Sequence, residues 1–115
     1  MIYELRHYVP TAGMEDRMRE RFARDSLPLF KNLGIALIDF WEAPESDEIW
    51  YVVEWPDEKA AKTGWKKFVQ TPEWKEIAAR TENDGPLSTS RAIVLKRPDF
   101  VKSEWLTPLH LPDHQ

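Results

Sequence analysis

Residues 48–55 read EIWYVVEW, and from Ile49 to Trp55 only Glu54 is not apolar. Large side chains fall on both parities of this run. A β-strand turns successive side chains to opposite faces, so a strand with one wet face alternates apolar and polar residues. This segment does not alternate, and it predicts a strand that is apolar front and back. A chain of 115 residues makes one domain, with helix enough to shelter one face of a sheet. The second face needs another cover.

The flanking sequence supplies the other elements. Ile2 to Val9 alternates, with Tyr3, Leu5, His7 and Val9 on one side and Ile2, Glu4, Arg6 and Tyr8 on the other. Pro10 and Thr11-Ala12-Gly13 end that strand. Met14, Met18, Phe22, Leu29, Phe30 and Leu33 recur at helical spacing. They predict an amphipathic helix, bent near Pro28 and stopped by Asn32-Leu33-Gly34. Ile35 to Glu42 reads as a second strand and Ala43 to Asp47 as a hairpin loop into the third. Asp57 is an expected N-cap for a helix carrying Ala61, Trp65, Phe68 and Val69 inward. Thr71-Pro72-Glu73 reads as a cap, a proline at the first helical position and an acid in the first turn, opening a helix with Trp74, Ile77 and Ala78 on one side. Asp84-Gly85-Pro86 ends it, and Thr89 to Arg97 is a last strand.

The order β-α-β-β-α-β predicts an α+β, ferredoxin-like sandwich. Its four-stranded antiparallel sheet has strands one and three in the middle and both helices on one face. Residues 1–98 form that domain. Residues 99–115 are a proline-rich apolar tail, expected to pack on its own or a partner subunit, with Trp105 as its anchor. Burying one large apolar side chain is worth roughly 1.5–3 kcal/mol, against about 5–15 kcal/mol for a whole domain. Leaving Trp50, Val52, Ile2 and Tyr8 in water would make a contiguous apolar patch of the kind that marks a binding surface. Two copies packed face to face would cover it, so the expected assembly is a two-fold homodimer pairing into a dimeric α/β barrel.

Composition narrows the function classes. Sixteen basic and twenty acidic residues give a net charge of −4, which argues against a nucleic-acid surface built on phosphate neutralisation. An RNA-binding sheet of this topology would also want a basic, glycine-containing start to its third strand, where this chain has Asp47-Glu48. No apolar run approaches the ~20 residues of a membrane span. No secretory signal is visible, and the expected location is cytoplasmic. The chain has no cysteine, hence no disulfide, thiolate metal site or cysteine nucleophile. His110 and His114 have the i, i+4 spacing of two helical metal ligands, but Pro112 disfavours a helix there, and no metal site or cofactor is expected. Four isolated glycines make no phosphate loop.

MIYELRHY at the start, LPLFKNLGI through Gly34, the Trp55-Pro56-Asp57 turn and TPEWKEI at residues 71–77 together resemble the NIPSNAP family. The similarity runs from Met1 to about Pro98. It implies a ferredoxin-like chain that pairs into a dimeric α/β barrel, and it implies no established reaction. Two features depart from the family pattern. The Ala43–Glu48 loop is short, and Val53 stands where relatives often carry Trp.

The site candidates come from strand parity. Glu4, Arg6 and Tyr8 share a face and match the family's opening motif. On the same parity Glu54, Trp50 and Val52 are expected to join them, with Arg91 from the last strand in reach. An arginine between carboxylates can hold an anionic or carbonyl ligand bidentately, and a neighbouring glutamate can accept a proton. Glu4, Arg6 and Glu54 are thus candidate catalytic residues, and Arg6, Tyr8, Trp50 and Arg91 candidate ligand contacts. Glu4, Arg6 and Glu54 also read as an ion-pair network that fixes strand register and dimer orientation. His7 shares a face with Leu5 and reads as a hydrogen-bonded core or rim residue. The expected role is a homodimeric small-molecule-binding or interaction module. The alternatives are a cofactor-free enzyme, monooxygenase- or isomerase-like, on a small carbonyl or aromatic compound, and a haem-binding barrel.

Overall fold

In a computed structural model the described residues are 1–107. The histidines at 110 and 114, with the apolar Leu109 and Leu111 of the tail, lie outside them. Four strands, β1 (Ile2–Pro10), β2 (Ala36–Glu42), β3 (Ile49–Trp55) and β4 (Ser88–Leu95), form one antiparallel sheet in the order β2-β3-β1-β4. The β-α-β-β-α-β order and the central positions of β1 and β3 are those expected from the sequence.

The first helical stretch is α1 (Glu15–Arg21), a π-helical turn (Phe22–Ser26) and α2 (Leu27–Leu33). The expected bend near Pro28 takes this form. Proline has no N–H to give and its ring collides with the carbonyl four residues back. A wider turn just before it relieves both, and such turns recur at functional sites. Gly34 ends α2 at φ 74°, its N–H bonded to Lys31 and Phe30 carbonyls, in the left-handed conformation that favours glycine.

The second helical stretch breaks where the sequence predicts. Asp57 accepts from the Ala60 N–H to start α3 (Glu58–Gln70), and Thr71 accepts from the Trp74 N–H to start α4 (Pro72–Thr81). Ala61 and Phe68 are buried as expected, whereas Val69 is half exposed. No helix among the described residues is long and apolar enough to cross a membrane.

The core lies between the helices and one face of the sheet, and here the register overturns one expectation. β1 and β3 pair as Ile2 with Trp55, Glu4 with Val53, Arg6 with Tyr51 and Tyr8 with Ile49. Directly opposed residues of antiparallel strands point to the same side. Ile2, Glu4, Arg6 and Tyr8 therefore face the helices together with Ile49, Tyr51, Val53 and Trp55. Trp50, Val52 and Glu54 lie on the open face, opposite His7, Leu5 and Tyr3. Parity within each strand is legible from the sequence. Which parity of one strand meets which parity of the next depends on register, and β3, apolar on both sides, carries no signal of it.

The open face carries apolar side chains on all four strands. Trp41, Ile93, Leu95 and Val9 remain exposed on it, Trp41 at 46%. In the tail Phe100 and Trp105 are exposed as well, with the Lys102 ammonium 5.2 Å from the Trp105 ring.

Candidate functional site

A pocket of about 190 Å³ lies between the helical layer and the sheet. β1 and β3 contribute Arg6, Tyr8 and Tyr51 to its floor. The π turn contributes Phe22 and Ser26, α2 Phe30, α3 Trp65, Phe68 and Val69, and α4 Trp74; Arg21 stands at the side. The wide turn places Phe22 and Ser26 on the pocket wall directly before the proline that causes it.

Glu4 sits behind the floor and organises it. Its Oε1 accepts hydrogen bonds from the indole N–H of Trp55 and of Trp65, both at 2.6 Å. Its Oε2 lies 3.6 Å from Arg6 Nη1. The Arg6 guanidinium packs over the Trp65 ring at 4.6 Å and donates from Nη2 to the Tyr8 hydroxyl at 3.3 Å, which in turn lies 3.2 Å from the Tyr51 hydroxyl. Arg6 Nε is buried with no hydrogen-bond partner. A buried donor without an acceptor is costly and rare, and this one belongs to a side chain that lines the pocket.

The ionisation of the floor follows from its surroundings. Burial works against the charge on Arg6, but the Tyr8 and Tyr51 oxygens and the Glu4 carboxylate outweigh it, and its pKa lies above the ordinary arginine value. Burial pushes the Tyr51 phenol well above its usual range, Tyr8 adds to this, and Arg6 opposes it. The floor is a permanent cation beside a neutral phenol. Arg21 is held by Thr81 Oγ1 at 3.2 Å and Glu82 Oε2 at 2.5 Å, and lies 5.1 Å from the Trp74 ring.

Of the residues singled out in the sequence, Arg6 and Tyr8 line this pocket and Glu4 supports it. Glu54, Trp50 and Arg91 are on the other side of the sheet. There the Trp50 ring stacks on His7 at 3.6 Å, His7 Nε2 bonds Glu48, and Arg91 Nε approaches His7 Nδ1 at 3.5 Å. Glu54 therefore cannot share a ligand with Arg6. Sequence reasoning missed Tyr51, Ser26 and Arg21. Arg21 looks like any charge on the wet side of an amphipathic helix, and the one available signal was Pro28, which announces a local change of helical phase.

The family model NIPSNAP matches residues 3–102. Among solved structures, the chain is similar to an uncharacterized NIPSNAP domain protein from Burkholderia xenovorans, with 16% identity over 89% of this chain and 99% of that one, and a TM-score of 0.72. It is similar to a NIPSNAP family protein from Agrobacterium tumefaciens, with 15% identity over 86% and 94% and a TM-score of 0.73. More distantly it resembles SnoaB, a cofactor-independent oxygenase from Streptomyces nogalater, with 13% identity over 84% and 91% and a TM-score of 0.53. At such identities the likeness is one of fold. A search of curated proteins finds no match.

Proposed function

The chain belongs to the NIPSNAP family, and on that premise we propose that it is a binding module for a small, mainly apolar molecule bearing one anionic or carbonyl oxygen. The observation that carries this reading is the Arg6 Nε–H, buried and unpartnered beneath aromatic walls. Pockets that bind small molecules combine apolar linings with a few placed polar groups, and here the walls fit a ring and Arg6 its polar end. Phenylacetate and its neutral amide test it by calorimetric titration. Saturable binding of phenylacetate, about tenfold tighter than the amide and lost in Arg6→Met, is expected; each tenfold is about 1.4 kcal/mol. Absence of saturable binding by both compounds overturns the reading.

The open face supports a second part of the proposal, a homodimer. Leu5, Trp50 and Val52 run across its centre, with acidic Asp39 and Glu54 towards β2 and basic Arg91 on β4. Two copies related by a two-fold axis would set the acidic side of one sheet against the basic side of the other. Sedimentation of the full chain tests this. The exposed Phe100 and Trp105 suit a tail that continues onto the partner, along β4, where Val94 on the helix side is also exposed.

Cofactor-free catalysis on a carbonyl or aromatic compound is the second reading, favoured by the cation and phenol side by side and by the oxygenase named among the distant fold neighbours. Glu4 is a poor proton acceptor for it, with Oε1 committed to two indoles. None of the residues lining the pocket is a histidine, so it offers a haem no axial imidazole.

A further inference from the structure

We propose that the pocket binds ionisable phenols and enols as their anions, which names the ligand class of the site proposed above and rests on that reading. Donors outnumber free acceptors on the floor of the pocket. Arg6 Nε–H has no acceptor. Tyr8 and Tyr51 have two hydroxyl protons and one mutual contact, and the Tyr8 oxygen already accepts from Arg6. Whichever phenol donates to the other, the remaining hydroxyl proton has no protein acceptor among the described residues. At least two donors on the floor thus lack an acceptor among the described residues. No carboxylate or imidazole lines it; its charged lining is Arg6 and Arg21, and Glu4 behind the floor already accepts from two indole N–H groups.

A ligand whose oxygen carries a proton would bring a further donor to a surface already rich in them. The same ligand without that proton brings an oxygen that can accept from Arg6 and a tyrosine together, in surroundings where charge-assisted hydrogen bonds are strong. Ionisation at this site is heterolysis of the ligand O–H bond. The electron pair stays on the ligand oxygen and the proton passes to bulk water, since no lining side chain is placed to keep it. A carbonyl compound with an acidic α-hydrogen would be held as its enolate by the same donors. The aromatic walls select a planar, delocalised anion, whose charge spreads into the ring, over a compact hydrated one such as acetate.

The probe is 4-nitrophenol, whose anion absorbs visible light and whose neutral form does not, with nitrobenzene as the neutral control. Titrated with the full chain on the acid side of its own pKa in water, bound nitrophenol is expected to show the anion's absorption. Its apparent pKa falls by about one unit, a tenfold preference for the anion. Tyr51→Phe removes a hydroxyl and no charge, and it reduces the shift. Arg6→Met abolishes the shift. Nitrophenol bound with the neutral spectrum, or an unchanged shift in both variants, overturns the inference and leaves the small-molecule reading standing. Failure of both nitrophenol and nitrobenzene to bind overturns that reading too.

Discussion

Glu4 takes its partners from three elements of the fold, Arg6 on β1, Trp55 on β3 and Trp65 on α3. Its place on β1 beside Arg6 marks it as chemically interesting, yet both neighbours that define its work, Trp55 and Trp65, come from distant segments and donate to the same oxygen. The outcome is a carboxylate that orients two rings and supports a guanidinium. Gly64 is the less visible partner in that arrangement. A Cβ at position 64 would lie 2.4 Å from the Trp55 ring, closer than any side chain tolerates, and Trp55 cannot retreat without giving up its bond to Glu4. Gly64→Ala is therefore expected to destabilise the fold by about 1–3 kcal/mol, although alanine is the better helix former. Chemical denaturation checks it, and an unchanged midpoint would mean that the ring moves freely. Nothing in the sequence marks Gly64, because its neighbour is a residue nine positions away across a turn.

At the scale of elements, local chemistry was the best guide. Asp57 and Thr71 cap the helices they were expected to cap, and Gly34 stops α2, because capping depends on groups within four residues of one another. Thr71 does two jobs: its hydroxyl donates to the Phe68 carbonyl at 2.8 Å and accepts from the Trp74 N–H at 3.1 Å, closing one helix and opening the next. Thr71→Ala should cost about 1 kcal/mol or somewhat more, read as a lower denaturant midpoint at constant slope. Because the residues it joins, Phe68 and Trp74, both wall the pocket, phenylacetate binding is expected to weaken with it. The π turn is the counterexample. Its cause, Pro28, is plain in the sequence, but its effect, Phe22 and Ser26 turned towards the pocket, appears only once the sheet is beside it.

For the molecule as a whole, the proposed second copy follows from the helices covering one side of a sheet that is apolar on two. Trp41, Ile93 and Leu95 stay exposed, and β4 is exposed along most of its length. If two sheets pair, Ile93→Glu places a charge in the covered face of each copy and should shift sedimentation from dimer to monomer without loss of the helical signal. A wild-type chain that sediments as a single 13.6 kDa species would remove the dimer. Ending the chain at Pro98 separates the tail from the sheet: a dimer that weakens supports a strap, and one of unchanged mass and melting temperature removes it.

What the amino-acid order determined by itself was the set of elements, their sequence along the chain, their caps and the presence of a strand apolar on both sides. These rest on periodicity and short-range hydrogen bonding, which act between near neighbours. Tertiary structure alone decided that Arg6 meets Tyr51 and not Glu54. Pairing register is a contact between segments some forty residues apart, and a strand without alternation leaves either face free to turn inward until the helices pack and choose.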